Sequence, residues 1–378
     1  MYISKFQINN FRNFNDVSLN LDRGSNYFIG ENGQGKSNFL EAVYALSIGK
    51  SYRTSKGINL VNQNSESLSS HIKGIAHYNN SALDLMLSIE LDSDSKRASK
   101  SYSFNSSNVS SLDFIGKLNV VLFEAKDLGI ITGSPISRRR FLDIHISQQD
   151  FSYLKALQRY NKVLQSRNKV LKDIKIGRSS KLELEFWTEK IIEDGLIISK
   201  QRKQKLNEIK NETLKIFPFF ISNNENLDIN FVPSYDDLDN LNNESLKAKF
   251  LENVKKEISL GSTLYGPHKD DFEININNNP SAEFSSRGQI RTITLALKLG
   301  EANALKNSIN SSPIIALDDI LSELDESRRG TVMDYVSSYD QVLLTAPDEK
   351  LLVRNSKSIG KIFYVSNGEI IDSKFRQN

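Results

Sequence analysis

The octapeptide Gly30-Glu31-Asn32-Gly33-Gln34-Gly35-Lys36-Ser37 constrains this chain more than any other segment. It has the spacing of a phosphate-binding loop, G-x-x-x-x-G-K-[ST]. Glycines let backbone N–H groups turn inward and approach phosphate with no Cβ in the way. Residues 26–29, before the loop, are apolar and β-prone. After it, Phe39, Leu40, Val43, Tyr44 and Leu46 recur at helical spacing, largely on one side, over 38–46. A helix starting near Lys36 adds the partial positive charge of its N-terminus. In this frame Lys36 reaches the β- and γ-phosphates of ATP and the Ser37 hydroxyl binds Mg2+. The bland alternative, a glycine-rich turn with no ligand, does not use the strand and helix that flank it.

Such a loop needs a second carboxylate for the metal. Ile314-Ile315-Ala316-Leu317 predicts a buried strand, and Asp318-Asp319 emerge at its carboxyl edge, where ligands sit in parallel α/β sheets. Asp318 is assigned to the Mg2+ shell and Asp319 to polarising the attacking water. The alternative is a pair of acidic residues capping the next helix. Between loop and acidic strand lies Ser286-Arg287-Gly288-Gln289, followed by a helical stretch, 292–305. Serine, glycine and a helix N-terminus make a second anion site. One chain does not need two, so the economical reading is that this site faces the γ-phosphate held by another subunit; a plain helix cap is the alternative.

Composition narrows the rest. The 378 residues are enough for one large domain or two ordinary ones, and no cysteine is present, so disulfides, thiolate metal sites and cysteine nucleophiles are excluded. The net charge of +3 places any nucleic-acid contact in local patches. Residues 1–10 alternate like a strand and lack a signal-peptide core, and no apolar run approaches the ~20 residues of a membrane span. A cytoplasmic or otherwise reducing location is expected, with no membrane partner.

Along the chain, short strands are expected at 2–9, 17–21 and 26–29, and β-hairpins over about 70–122. From 138 to 256 glycine falls, and Leu154, Leu157, Val163, Leu164 and Leu171, then Trp187, Ile191, Leu196 and Ile198, predict two or more long helices with a turn at Gly177. Residues 223–243 are Asn/Asp-rich and read as a loop with short elements. Strands 273–276 and 282–284 flank Asn277-Asn278-Asn279-Pro280, a hairpin signal, and 341–344 is a further buried strand.

Taken together these segments resemble the RecF family, ABC-type ATPases related to SMC-like repair proteins. The resemblance covers nearly the whole chain. It rests on Asn10-Phe11-Arg12-Asn13-Phe14, the glycine loop, Leu40-Glu41-Ala42 and Ser51-Tyr52-Arg53. It continues through Gly133-Ser134-Pro135, Arg138-Arg139-Arg140-Phe141-Leu142-Asp143 and Gly266-Pro267-His268-Lys269-Asp270-Asp271. It ends on the serine-glycine segment with Arg291-Thr292, Leu297-Lys298-Leu299, and Asp318-Asp319-Ile320-Leu321-Ser322-Glu323-Leu324-Asp325.

The resemblance implies an α/β fold with an ABC-type head built from both chain ends, 1–137 and 257–378, and an inserted mainly helical lobe, 138–256. It implies ATP-driven, head-to-head homodimerisation on DNA, with preference for double strands and gap junctions. It further implies joint action with the mediators RecO and RecR in loading recombinase, and slow, switch-like ATP hydrolysis in which Lys36 and Asp319 are catalytic. By matching position, Ser286, Gly288 and Gln289 are the trans signature, 323–325 crosses the dimer interface, and Arg12 and Asn13 lie near the adenine or ribose. The chain departs from the family pattern at Ala125-Lys126, where Pro-Glu is usual, at Arg287, and at Ile290. Thr345 is the nearest candidate for the switch histidine of transporter ATPases.

Other residues keep two readings. His268 orients a phosphate or carboxylate, or is structural. The run 138–140 contacts phosphate or crosses the dimer, or is a solvated helix start. The run 200–205 touches DNA, or is a solvated face. Tyr52 and Arg53 are candidates for the DNA surface. Three rivals are weighed. A transporter motor predicts a switch histidine and a membrane-coupling surface, neither clearly offered. A small-molecule kinase predicts an arginine-rich lid and no signature segment. An SMC-like scaffold needs very long coiled coils, and the insert is far too short.

Overall fold

Strand pairing sorts the chain into three sheets. The structure is a computed structural model, and it describes residues 1–79, 81–95, 97–221, 225–235, 237–351 and 360–372. These pack as two units, Met1–Asp127 with Pro218–Phe220 and Lys298–Asn378, and Leu128–Phe217 with Ile221–Leu297.

In the first unit, the central sheet has the order Glu369–Asp372, Lys361–Ser366, Gly24–Ile29, Gln341–Ala346, Ile314–Asp318, Val120–Phe123. All neighbours pair in parallel except the outer Glu369–Asp372. Gln341–Ala346 and Val120–Phe123 are buried at every position, as parallel strands covered on both faces must be. The second sheet is antiparallel, in the order Phe14–Asn20, Tyr2–Phe11, Ser69–Tyr78, Ser81–Leu91, Ala98–Phe104, Ser107–Val109. Alternate residues Ser70, Ile72, Gly74 and Ala76 of its third strand are buried, the period of a sheet with one covered face.

Helix Lys36–Ile48 lies between the two sheets. The Phe39 ring is 5.4 Å from Phe6 on one and 4.0 Å from Phe28 on the other. All of the helix except Ser37 and Asn38 is therefore buried, not one side of it as its spacing suggests. The apolar pattern marks one side only; Glu41 is also buried, on Arg12 and Ser51, and Ser47 on the Leu118 carbonyl.

The second unit is mainly helical. Its long helices are Phe151–Lys175, Lys181–Ile216 and Asn243–Leu260. Each starts at a side-chain cap: Asp150 accepts from the Tyr153 N–H, Ser180 from the Glu183 N–H, and Asn242 from the Ser245 N–H. Gly177, at φ +75°, makes the turn expected between the first two. Val170, Leu171 and Leu184 form a core against which Ile174, Trp187, Val254 and Ile258 pack. A three-stranded sheet, in the order Asn279–Pro280, Asp271–Ile276, Leu227–Val232, completes the unit. Part of the Asn-rich segment (223, 224 and 236) falls outside the described residues.

Two expectations shift here. The hairpin turn at Asn277-Asn278 is present, both residues at positive φ, but the returning strand is only Asn279–Pro280 and Ser281–Phe284 is a helical turn. Residues 128–137 and 257–297, placed with the head by sequence, pack with the helical unit. The cause is long-range: Asp271–Ile276 pairs with Leu227–Val232, a strand inside the inserted segment, register Ile274 to Ile229.

Candidate nucleotide site and signature segment

Strand Gly24–Ile29 delivers the chain to Gly30, whose N–H donates to the Ala346 carbonyl at 3.3 Å. A Cβ at Gly30 would lie 2.2 Å from the Val365 carbonyl oxygen, so the neighbouring strand admits only glycine. Gly35 sits at the N-cap with φ +124°, and a Cβ there would lie 2.7 Å from the Asn13 amide. The helix that follows has no side-chain cap, which leaves its first-turn N–H groups for an anion.

Asn13 braces the loop: its amide donates to the Gln34 carbonyl at 2.9 Å and accepts from Asn38 at 2.7 Å. The turn at Asn367 and Gly368 holds Gln34 from the other side, through N–H groups 2.7 Å from its side-chain oxygen and 3.1 Å from its carbonyl. Glu31, Asn32 and Gly33 are exposed at the crest. Lys36 is buried and donates to the Gly30 and Glu31 carbonyls at 2.5 and 2.9 Å. Burial holds its ammonium below the usual value, and the charges of Asp319 and Asp318 pull it back up.

Asp318 ends the buried strand, as expected, and gathers three hydroxyls. Ser37 donates to its Oδ1 at 2.8 Å and Thr345 to the same atom at 3.0 Å; Tyr52 donates to Oδ2 at 3.0 Å. Asp319 stands at φ +54° with its N–H on the Thr345 hydroxyl at 2.9 Å. Its Oδ1 is buried with no partner among the described residues. The capping alternative fails for this pair: Asp319 makes no cap bond, and helix Glu326–Val336 is capped by Asp325. Buried acceptors demand donors, so a paired Asp318 and an orphaned Asp319 beside a lysine and a serine fit a metal and a water.

Tyr52 is a residue that sequence reasoning misplaced. Its ring is buried, so it is not a DNA surface, and burial, followed by the Asp318 charge, raises its hydroxyl well above the usual value. Nothing in its spacing signals this. Arg12 forks onto the fully buried Glu41 at 2.7 and 2.9 Å, and Ser51 donates to the same carboxylate. Glu124 follows the strand next to Asp318, where burial and then the Asp127 charge push its carboxyl up to about 7. Sequence reasoning passed over it in favour of its neighbours Ala125-Lys126.

In the second unit, Ser286 precedes helix Arg287–Ile309. The Gln289 N–H donates to the Ser286 hydroxyl at 3.2 Å and the Ser286 N–H to the Gln289 side chain at 2.8 Å, a capping box. The Gln289 amide also donates to Glu225 at 2.8 Å. The helix-cap alternative is thus realised, and it presents Gly288 and the helix N-terminus together.

The other ambiguous residues resolve toward structure. His268 Nε2 faces the Thr263 carbonyl at 3.0 Å, so that nitrogen carries the proton, and Nδ1 accepts from the Tyr160 hydroxyl at 2.6 Å. Burial pushes its pKa down to about 4. Within 200–205, Arg202 is buried on Asp143 and the Pro267 carbonyl, and Lys205 pairs with Glu208, so the run is not a uniform basic face. Among the described residues no helix is long and apolar enough to cross a membrane.

Comparison with known proteins agrees with this geometry. Residues 2–371 match the RecF/RecN/SMC N-terminal domain model. The chain is 35% identical over 370 residues to the DNA replication and repair protein RecF of Clostridium novyi (strain NT), covering 98% of this chain and 99% of that one. A solved structure of the recombination mediator protein RecF with ATP, from the RecFOR pathway, superposes with a TM-score of 0.88 at 32% identity, over 98% of this chain and 97% of that one. The Smc head of Pyrococcus furiosus, bound to part of ScpA, shares the fold at 16% identity and TM-score 0.54, over 98% of this chain and 96% of that one. The architecture is an α/β, ABC-type ATPase head with a helical lobe, and the chain belongs to the RecF family.

Proposed function

We propose that this chain is an ATP-switched DNA-binding protein of recombinational repair, which dimerises when ATP on residues 30–37 of one copy meets Ser286, Gly288 and Gln289 of another. The carrying observation is the placement of Ser37 against Asp318 at 2.8 Å beside the orphaned Asp319 Oδ1. The loop amides and Lys36 bind and orient the phosphates. Ser37 and Asp318 would hold Mg2+, which would supply neutralisation of the charge developing on the phosphates. Asp319 orients the attacking water and takes its proton at Oδ1. Tyr52 and Thr345 keep Asp318 aimed at the loop. Arg12 and Asn13 flank the nucleotide through their ties to Glu41 and Gln34.

Hydrolysis is slow in this proposal and resets the monomer. Double-stranded DNA and gap junctions are the substrate surface, RecO and RecR the mediators served, and RecF-like relatives bound to ATP support the choice. Light scattering with and without ATP and gapped DNA tests it. Wild type should double in mass with ATP. Lys36→Ala should lose ATP binding, whereas Ser286→Arg should keep it and stay monomeric; a Ser286→Arg dimer sinks the trans arrangement.

A further inference from the structure

We infer that Arg138 is a positioning residue for the signature segment, setting where Ser286 and Gln289 are presented to a partner's nucleotide. The inference rests on the dimerisation proposed for this chain. All three guanidinium nitrogens of Arg138 are engaged inside the second unit. Nε and Nη2 donate to the two oxygens of Asp271 at 2.6 and 2.8 Å. Nη1 donates to the Gly133 carbonyl at 2.9 Å, with the Ile130 carbonyl at 3.5 Å. Asp271 opens strand Asp271–Ile276, and Gly133 is the C-cap of helix Gly129–Thr132. One side chain therefore ties the end of a helix to the start of a strand.

Those two elements are the seat of the helical turn Ser281–Phe284, which packs on both and buries Ser281 completely. The Ser285 N–H closes that turn on the Ser281 carbonyl at 3.2 Å. Ser286 follows at once, its carbonyl accepting from the Ile290 N–H at 2.9 Å. The signature thus begins directly after the turn whose seat Arg138 holds. Phe141, three residues on from Arg138, packs 6.1 Å from the Phe272 ring and fastens the same strand. A fork-to-fork ion pair fixes direction as well as distance, which a lysine at 138 would not. The first arginine of the basic run is accordingly a brace and not a phosphate contact.

The test uses the full chain. In Arg138→Gln, ATP affinity of the monomer, measured by calorimetry, should be unchanged. The Kd of the ATP-dependent dimer should rise about 10- to 100-fold, the equivalent of losing a charged fork. Amide exchange at Ser285 and Ile290 should speed up in the monomer. Asp271→Asn, which breaks the pair from its other side with little change of shape, should reproduce both effects. Arg167→Met is the control. It removes a buried ion pair of the same unit, Arg167 to Glu257 at 2.6 Å, that has no bond to Asp271 or Gly133. It should lower Tm and leave the dimer Kd at the wild-type value. Wild-type dimerisation by both Arg138→Gln and Asp271→Asn overturns the inference. So does an Arg167→Met variant that weakens the dimer as much as they do. A wild type that stays monomeric with ATP is a different failure, since it sinks the dimer proposal and this inference with it.

Discussion

Asp318 collects hydroxyls from Ser37, Thr345 and Tyr52, residues drawn from a helix start, a neighbouring strand and a loop. Three donors on one carboxylate fix its direction. Lys36, Ser37 and the aspartates can be named from sequence because residue type and spacing are local, and the structure brings Ser37 to Asp318 at 2.8 Å. Tyr52 is not, since nothing in a tyrosine's neighbours says which carboxylate its hydroxyl will meet. Gly30 gives a test at this scale. Gly30→Ala drives a methyl onto the Val365 carbonyl, so it should cost about 1–3 kcal/mol in thermal unfolding and weaken ATP binding in calorimetry. Gly330→Ala, in helix Glu326–Val336 with nothing within 4 Å, should be neutral or slightly stabilising.

Elements were legible where their period was clean. The strand, loop and helix around residues 30–37 and the two long helices around Gly177 appear as expected. The segment 282–284 misled because a hairpin signal predicts a returning strand, whereas Ser281 is drawn into a buried seat and the chain coils there. The segment 266–271 offered a choice for His268 that its partners settle: the Tyr160 hydroxyl and the Thr263 carbonyl demand a neutral ring. A pKa pushed from 6.5 to about 4 makes the unfolded chain bind the proton first. Stability from this group is therefore fully present above 6.5 and lost as pH falls toward 4, by up to about 3 kcal/mol. Urea melts of the wild type across that range should show the loss, and His268→Gln should flatten that component; equal slopes in both would exclude it.

At the scale of the whole molecule, the proposed DNA binding would have to work from a net charge of only +3, through local arginines and lysines. Binding of a labelled duplex in the presence of ATP should weaken by about two orders of magnitude between 50 and 200 mM salt, the slope for some four phosphate contacts. A flat salt dependence, read by anisotropy, would remove phosphate contacts from the proposal. The sequence by itself determined the nucleotide chemistry, the α/β class and the presence of a helical insert, because glycine spacing, apolar runs and helical periods act over short stretches of chain. Only the tertiary structure decided that Arg138 is spent on Asp271, 133 positions away, that Tyr52 turns inward to Asp318, and that the signature packs with the helical unit. Those outcomes depend on which buried donor meets which buried acceptor, and a one-dimensional pattern records the need for a partner without naming it. The glycine loop could be read from its own eight residues; the partners that fix Asp318 and seat residues 286–289 could not.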